Sequence, residues 1–197
     1  MHRESKVAKL ISAMTSAPLI CLYISIFFLI AGLVNRVGFI VLALLLVLSP
    51  VLPVILNTLR GRVDIYVSSR FERTRYLVYA ILPQVLTSIL FFTVLHNAYI
   101  AYFALHYVIQ TIVVLIVNFL YTKVSVHMVG YVAPITFLVL SLRIKWILTL
   151  YLLTPAIAWS RYKLKAHTLE QLVLGIILGI LLEVILYLLG LTPVVKL

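Results

Sequence analysis

The chain has 197 residues, of which 64% are hydrophobic and only 11% are charged, and its mean hydropathy is +1.21. Soluble domains are roughly 45–50% apolar and about 25% charged, so this composition excludes a soluble protein and makes the bilayer the solvent for most residues. The 16 Lys and Arg against 5 Asp and Glu favour positively charged loops, anionic lipid headgroups or an anionic substrate. They do not favour nucleic acid, because the basic residues are divided among short loops.

Seven apolar stretches follow one another along the chain, and each is a candidate membrane-spanning helix. The first follows a basic N-terminus and is interpreted as an uncleaved helix, because the rest of the chain also spans the membrane. The stretches cover residues 11–34, 37–57, 76–96, 99–121, 128–142, 145–159 and 169–190. We therefore predict an all-α, polytopic bundle of six or seven transmembrane helices, forming one integral membrane domain over residues 1–197 in the cell membrane.

Three of the breaks between these stretches are rich in polar residues: 60–75, 122–127 and 160–171. Two crossings separate the first break from the second, and two more separate the second from the third. An even number of crossings returns the chain to the same face of the membrane. The three breaks are therefore predicted to share one side, which is a geometric condition for one composite site.

The third break carries a histidine and a glutamine four residues apart. If the following helix begins near His167, then His167, Gln171 and two glycines, Gly175 and Gly179, lie on one face. The glycines would let a neighbouring helix approach closely, turning the polar pair toward the bundle. A hydrogen bond from Gln171 would fix the imidazole tautomer and leave the other ring nitrogen as a nucleophile. The alternative is that the two residues are interfacial polar groups that cap a helix.

The second break places a cation, a hydroxyl and another imidazole within five residues. Lys123 could bind an anion, Ser125 could donate to an oxyanion, and His127 could serve as a general acid. The alternative is a short interfacial loop whose lysine side chain extends to the membrane surface.

The first break contains three closely spaced arginines, Arg70, Arg73 and Arg75. Guanidinium groups bind phosphate bidentately, so these residues could form a phosphate clamp. For any one of them the alternative is ordinary positive charge on a cytoplasmic loop. Asp64 and Glu72 are interpreted as partners of these arginines and not as catalytic acids.

Taken together, the three breaks contain histidines, cations and a hydroxyl, without convergent carboxylates. Metal-dependent hydrolysis would need a cluster of His, Asp and Glu ligands, and a Ser-His-Asp triad would need its acid. The remaining chemistry is phosphoryl transfer through a histidine nucleophile, with charge stabilised by Arg and Lys. No metal or cofactor is predicted.

The same residues resemble the motifs of the type 2 phosphatidic-acid phosphatases. That family carries Lys, six residues, Arg-Pro; then Pro-Ser-Gly-His; then Ser-Arg, five residues, His, three residues, Asp. Here Ser160-Arg161, five residues and His167 match the third spacing, and Ser125-Val126-His127 keeps the Ser and His of the second. The resemblance covers roughly residues 60–180.

The chain also departs from the family pattern. Gln171 stands where the family has Asp, in a form that resembles the dolichyl diphosphate phosphatases. Val124 and Val126 replace the Pro and Gly of the second motif. In the first motif Arg73 is followed by Thr, and Tyr66 stands at the position of the Lys, whose role Arg70 could take.

The resemblance implies a role for each matching residue. His167 would attack phosphorus and form a phosphohistidine, His127 would protonate the leaving group, and water would then hydrolyse the intermediate. The implied phosphate ligands are Arg161, Lys123, Ser125, Arg73 and Arg70. The implied activity is metal-independent hydrolysis of a lipid mono- or diphosphate, with a polyprenyl or dolichyl diphosphate favoured. Lys163 and Lys165 are left as positive charge on the loop or headgroup contacts.

Three alternatives remain open at the level of sequence. A phosphotransferase would pass the phosphoryl group to another lipid instead of to water. A small anion or lipid transporter would line a permeation path with the same residues, although their position at one interface argues against it. A catalytically inactive homologue is the third. With a cytoplasmic N-terminus, that terminus and the three breaks carry 12 of the 16 basic residues, which favours a site facing the cytoplasm.

Overall fold

The computed structural model of the protein describes residues 2–64, 67 and 69–195. Within this part of the chain all regular secondary structure is helical and no strand occurs, so the predicted all-α class is confirmed. The chain divides into two compact units. The first consists of the residues up to Ile20 together with those from Thr122 onward, and the second is Cys21–Tyr121.

The helices are numbered in chain order. Their bounds are α1 His2–Met14, α2 Ala17–Ile30, α3 Arg36–Leu59, α4 Arg70–Thr93, α5 Ala98–Leu120, α6 Val126–Leu142, α7 Thr154–Lys163 and α8 Leu169–Leu188. A π-helical segment, Ala43–Leu48, lies inside α3, and a 3₁₀ helix, Lys145–Leu153, precedes α7.

Four helices among the described residues are long and apolar enough to cross a membrane, namely α3, α4, α5 and α8. A fifth crossing is present if Lys6–Met14 and α2, which meet at an angle of 48°, are counted as one broken span. These lengths and compositions are those of a membrane protein. The predicted count of six or seven would need the shorter helices as well.

Two of the predicted stretches are interrupted at prolines. The stretch predicted at 11–34 breaks after Met14, and Pro18 lies in the first turn of the helix that follows. The stretch predicted at 145–159 changes from 3₁₀ to α-helix at Thr154, with Pro155 in the first turn of α7. Proline lacks the backbone N–H that would continue a preceding helix, but it is tolerated in a first turn. Neither interruption could be predicted from the apolar composition of these stretches.

The second unit contains a hairpin of two long helices, α4 and α5. Ser88 Oγ donates to the carbonyl oxygen of Ala101 at 3.0 Å, and Asn118 Nδ2 donates to Thr74 Oγ1 at 3.0 Å. These hydrogen bonds join the two helices at separate levels, so polar groups that would be costly in lipid are satisfied between them.

The first unit is organised around α6, most of which is buried. Its partner α8 approaches closely through two glycines. A Cβ on Gly175 would stand 3.0 Å from Met128 Cβ, and one on Gly179 would stand 2.4 Å from Val132 Cγ2. The close approach predicted for this glycine stripe is therefore confirmed.

Candidate active site

The second and third polar breaks lie together in the first unit. The backbone N–H of Ser125 donates to the carbonyl oxygen of Gln171 at 3.4 Å. Lys123 Nζ donates to the carbonyl oxygen of Ala166 at 3.1 Å, and Gln171 Nε2 donates to Thr122 Oγ1 at 3.3 Å. These contacts bring the second and third breaks together, as a composite site requires, and α6 with the segment 145–163 forms the excursion between them. That all three breaks share one side of the membrane stays a prediction.

The residues between Arg161 and His167 form a compact turn at the end of α7. The N–H of Ala166 donates to the carbonyl oxygen of Arg161 at 3.0 Å, and the N–H of Lys165 donates to that of Tyr162 at 2.9 Å. This pair of bonds is the Schellman pattern of a helix C-terminus. It requires a left-handed residue, and Lys165 has a φ of +53°. The five residues between Arg161 and His167 therefore contain the C-terminal turn of α7.

His167 lies immediately before the capping residue of α8. The helix begins at Leu169 with Thr168 as its N-cap, so the prediction that it begins near His167 is correct to within two residues. Gln171 is the third residue of a capping box: Thr168 Oγ1 accepts from the Gln171 N–H, and Gln171 Oε1 accepts from the Thr168 N–H, both at 3.4 Å. The alternative of a capping role therefore holds for Gln171.

The same oxygen of Gln171 also contacts the imidazole of His167. The distance between His167 Nδ1 and Gln171 Oε1 is 2.9 Å, so the predicted hydrogen bond is present. An oxygen that accepts from the Thr168 N–H can only accept from Nδ1 as well, which makes Nδ1 the protonated nitrogen. In the neutral ring the lone pair then lies on Nε2, as a nucleophilic imidazole requires.

An open cleft of about 890 Å³ lies beside this histidine. Its wall is formed by Lys123, Tyr162, Lys163, Lys165, Ala166, His167, Thr168, Leu169, Glu170 and Gln171. The side chains of Lys163 and Lys165 are exposed. These two lysines were predicted to be loop charge or headgroup contacts, and both lie in the wall of the cleft.

Arg161 and His127 belong to a group separate from the cleft, in which Arg161 is buried and His127 is half-buried. Arg161 is 1% exposed and its Nη1 donates to Ser12 Oγ at 2.6 Å. His127 Nε2 lies 3.2 Å from the carbonyl oxygen of the same serine. Both of these predicted site residues therefore contact Ser12 on α1, and neither lines the cleft.

Ser12 was missed by the sequence analysis. It is 3% exposed, and Ala8, one turn earlier, is fully buried. Small residues four apart on a membrane helix indicate a close helix contact, and this spacing is the signal that could have identified the face. The spacing was overlooked because most residues of the first stretch are apolar.

Ser125 is fully buried at the N-cap of α6, and its hydroxyl makes no capping bond. Among the residues that the structure describes, Ser125 Oγ has no hydrogen-bond partner. A buried hydroxyl without a partner is costly, so this side chain retains an unused donor beside the backbone of Gln171.

The predicted arginines of the first break belong to the second unit. Arg70 donates from Nη2 to the carbonyl oxygen of Phe119 at 2.6 Å and from Nε to that of Asn118. Its guanidinium therefore caps the C-terminal end of α5, where a cation is favourable. Arg73 is buried, and its Nη2 donates to the carbonyl oxygen of Val67 at 3.4 Å. Tyr66 lies outside the described residues.

Within the described part of the chain, no three His, Cys, Asp or Glu side chains come together in a way that could hold a metal ion. No protein-family model, curated protein or solved structure matches the chain. What the site can do is therefore inferred from its own residues: an imidazole with a defined tautomer, a cationic cleft, and a buried arginine and second histidine held by one serine.

Proposed function

We propose that the chain is a membrane lipid phosphatase that works through a phosphohistidine, of the kind that its motifs resemble. The observation that carries the proposal is the hydrogen bond of His167 Nδ1 to Gln171 Oε1. That oxygen is itself fixed by the Thr168 N–H, so a neutral His167 offers its lone pair at Nε2 beside a cleft lined by lysines.

The reaction proceeds in two balanced steps. In the first, His167 Nε2 attacks phosphorus, the bond between phosphorus and the leaving lipid oxygen breaks, and His127 gives that oxygen a proton. In the second, water attacks phosphorus while His127 accepts its proton, the P–N bond breaks, and phosphate leaves. Together the two steps return His127 and His167 to their starting protonation states, and neither step requires a metal.

The phosphate oxygens need positive charge and hydrogen-bond donors as charge develops on them. Of the predicted phosphate ligands, Lys123 is the one that lines the cleft. The unused hydroxyl of Ser125 and the guanidinium of Arg161 are proposed as further donors.

A diphosphate is the favoured headgroup, with a polyprenyl or dolichyl chain as the lipid. Three lysines, Lys123, Lys163 and Lys165, line the cleft against one carboxylate, Glu170. This charge balance favours the more highly charged substrate over a monoester.

The proposed topology has six or seven crossings in the cell membrane, with the site facing the cytoplasm. Besides the spans already described, α6 has 17 residues, the lower limit for a crossing, and the segment 145–163 returns the chain to the face where Lys123 meets Ala166. Ser12 on α1 contacts Arg161 and His127, which supports a basic N-terminus on the same side as the site.

The proposal is tested by phosphate release from the purified protein in detergent. Polyprenyl diphosphate, phosphatidic acid and phosphatidylglycerol phosphate are offered in excess chelator to the wild type and to His167→Ala. We expect release by the wild type, a phosphoenzyme that is labile to acid and stable to base, and loss of both in the variant. His96→Asn is the matched control, because His96 is an exposed histidine of the second unit with a positive φ that asparagine tolerates.

The other outcomes identify the alternatives. Release that survives His167→Ala rejects this nucleophile. Label transferred to an added acceptor lipid, without release to water, identifies a phosphotransferase. Flux of an anion into proteoliposomes, without any covalent phosphate, identifies a transporter.

A further inference from the structure

One serine of the N-terminal helix contacts two residues of the proposed machinery at once. Ser12 Oγ accepts from Arg161 Nη1 at 2.6 Å, and its carbonyl oxygen lies 3.2 Å from His127 Nε2. The contacts join residues that are 149 and 115 positions apart in the chain. Ser12 is 3% exposed and Arg161 is 1% exposed, so the bond between them is sheltered from competing solvent, whereas His127 is half-buried.

The contact with the carbonyl oxygen determines which nitrogen of His127 carries a proton. A carbonyl oxygen can only accept, so Nε2 must be the donor in this hydrogen bond. In the neutral ring the lone pair then lies on Nδ1. The two histidines are thus held in opposite tautomers, with the lone pair on Nε2 in His167 and on Nδ1 in His127.

The hydroxyl contact acts on the direction of the guanidinium. A guanidinium is planar and presents its donors in a rigid fork, so an acceptor at Nη1 restricts the orientation of the remaining donors. Small errors in the placement of a group that stabilises a transition state are costly, since about 1 Å can reduce a rate about 100-fold.

We propose that Ser12 is a positioning residue that orients Arg161 through its hydroxyl and His127 through its carbonyl oxygen, so that His127 exchanges protons through Nδ1. The proposal rests on the proposed function, and it makes the N-terminal helix a component of the active site. Its two contacts lead to separate tests, one kinetic and one spectroscopic.

The kinetic test compares Ser12→Ala with Ser12→Thr, which keeps the hydroxyl. We expect Ser12→Ala to lower kcat for phosphate release about 10- to 100-fold with little change in KM, and Ser12→Thr to recover most of the loss. Ser25→Ala is the matched control, since Ser25 is a fully buried serine whose hydroxyl donates to the Cys21 carbonyl oxygen of its own helix.

A double-mutant cycle separates positioning from general damage to the fold. If Ser12 acts through Arg161, then adding Ser12→Ala to Arg161→Lys lowers kcat no further than Arg161→Lys alone. Additive losses, or a Ser12→Ala variant with wild-type kcat, would overturn the hydroxyl half of the proposal.

The spectroscopic test uses the wild-type protein and needs no turnover. The ¹⁵N spectrum of protein labelled at histidine, assigned with His127→Gln and His167→Gln, reports which nitrogen of each neutral ring is protonated. We expect Nε2–H for His127 and Nδ1–H for His167, and the reverse at His127 would overturn the carbonyl half. A protein that shows these tautomers but releases no phosphate from any lipid would reject the proposed function and leave the positioning intact.

Discussion

The two histidines of the first unit are held in contrasting ways. His167 borders the open cleft, and its partner, Gln171, is four residues away in the cap of the same helix. His127 is held by a backbone carbonyl on another helix, 115 positions away in sequence, together with the buried Arg161. The first arrangement is local and borders the open cleft, whereas the second is long-range and places His127 beside a buried arginine.

The difference suits two requirements of the proposed phosphoryl transfer. A nucleophile must be reached by phosphorus, so its orientation is best fixed by a neighbour that does not cover it. An arginine that stabilises charge gains strength where water is excluded, which favours its burial against a distant helix. The turn from Tyr162 to Ala166 connects the buried Arg161 to His167 at the cleft.

Substitution of His127 tests whether the two histidines have different roles. We expect His127→Gln to slow release from a lipid phosphate about 10²- to 10⁴-fold, the usual contribution of general acid catalysis. With an aryl phosphate, whose leaving group needs no proton, the loss in the first step is expected to be less than about 10-fold. The measurement is the rate of phosphoenzyme formation with each substrate.

His167→Asn serves as the reference in the same experiment and should lose the phosphoenzyme with both substrates. Equal losses with the two leaving groups in His127→Gln would contradict the assignment of His127 as the general acid.

Gln171 tests the local arrangement, because one side chain both caps α8 and fixes His167. Gln171→Leu removes both contacts, and we expect about a 100-fold loss of kcat for phosphate release, by analogy with other oriented bases, and a stability loss of about 1 kcal/mol for the cap. Gln171→Glu keeps an oxygen for His167 and the preferred residue of a capping box, so both quantities should stay near wild type. Steady-state kinetics and thermal unfolding in detergent measure them. A Glu variant as impaired as the Leu variant would show that the amide nitrogen, which donates to Thr122, is the group that matters.

The smallest expected effect concerns the turn that connects the two groups. Lys165 has a φ of +53° at the end of α7, whereas the same hydrogen-bond pattern at the end of α8 uses Gly190, with a φ of +73°. Lys165→Gly should stabilise the protein by about 0.5 kcal/mol, since relief of the left-handed strain exceeds the added freedom of the unfolded chain. Gly190→Lys should destabilise it by about 1 kcal/mol. Unfolding midpoints of the two variants measure this difference, and shifts of equal sign would contradict the explanation.

The parts of the site that were predictable from sequence are the local ones. A spacing of four predicted the bond between His167 and Gln171, and the glycines of α8 predicted close contact with a neighbouring helix, because both depend only on helix geometry. That this neighbour is α6 was not predictable from the spacing. The roles of these residues in catalysis stay predictions.

The remaining features depend on contacts that no local pattern encodes. Ser12 looked like one small residue in an apolar stretch, and its partners lie more than a hundred positions away. Arg70 had the chemistry of a phosphate ligand, but its guanidinium caps α5, a role set by the end of another helix. The helix breaks near Pro18 and Pro155 were missed in the same way, because hydropathy does not detect where a proline interrupts a helix, and the count of six or seven crossings stays a prediction.

The bond between Ser12 and Arg161 spans 149 positions, and this has a consequence for biosynthesis. A ribosome delivers α1 to the membrane before Arg161, so the two can meet only after the chain between them has been translated. Contacts between such distant positions form slowly, after the loop-closure entropy of the intervening chain has been overcome. We therefore expect nascent chains that end before Arg161 to insert their early helices without a formed active site, so that a ribosome-stalled intermediate is membrane-bound and inactive.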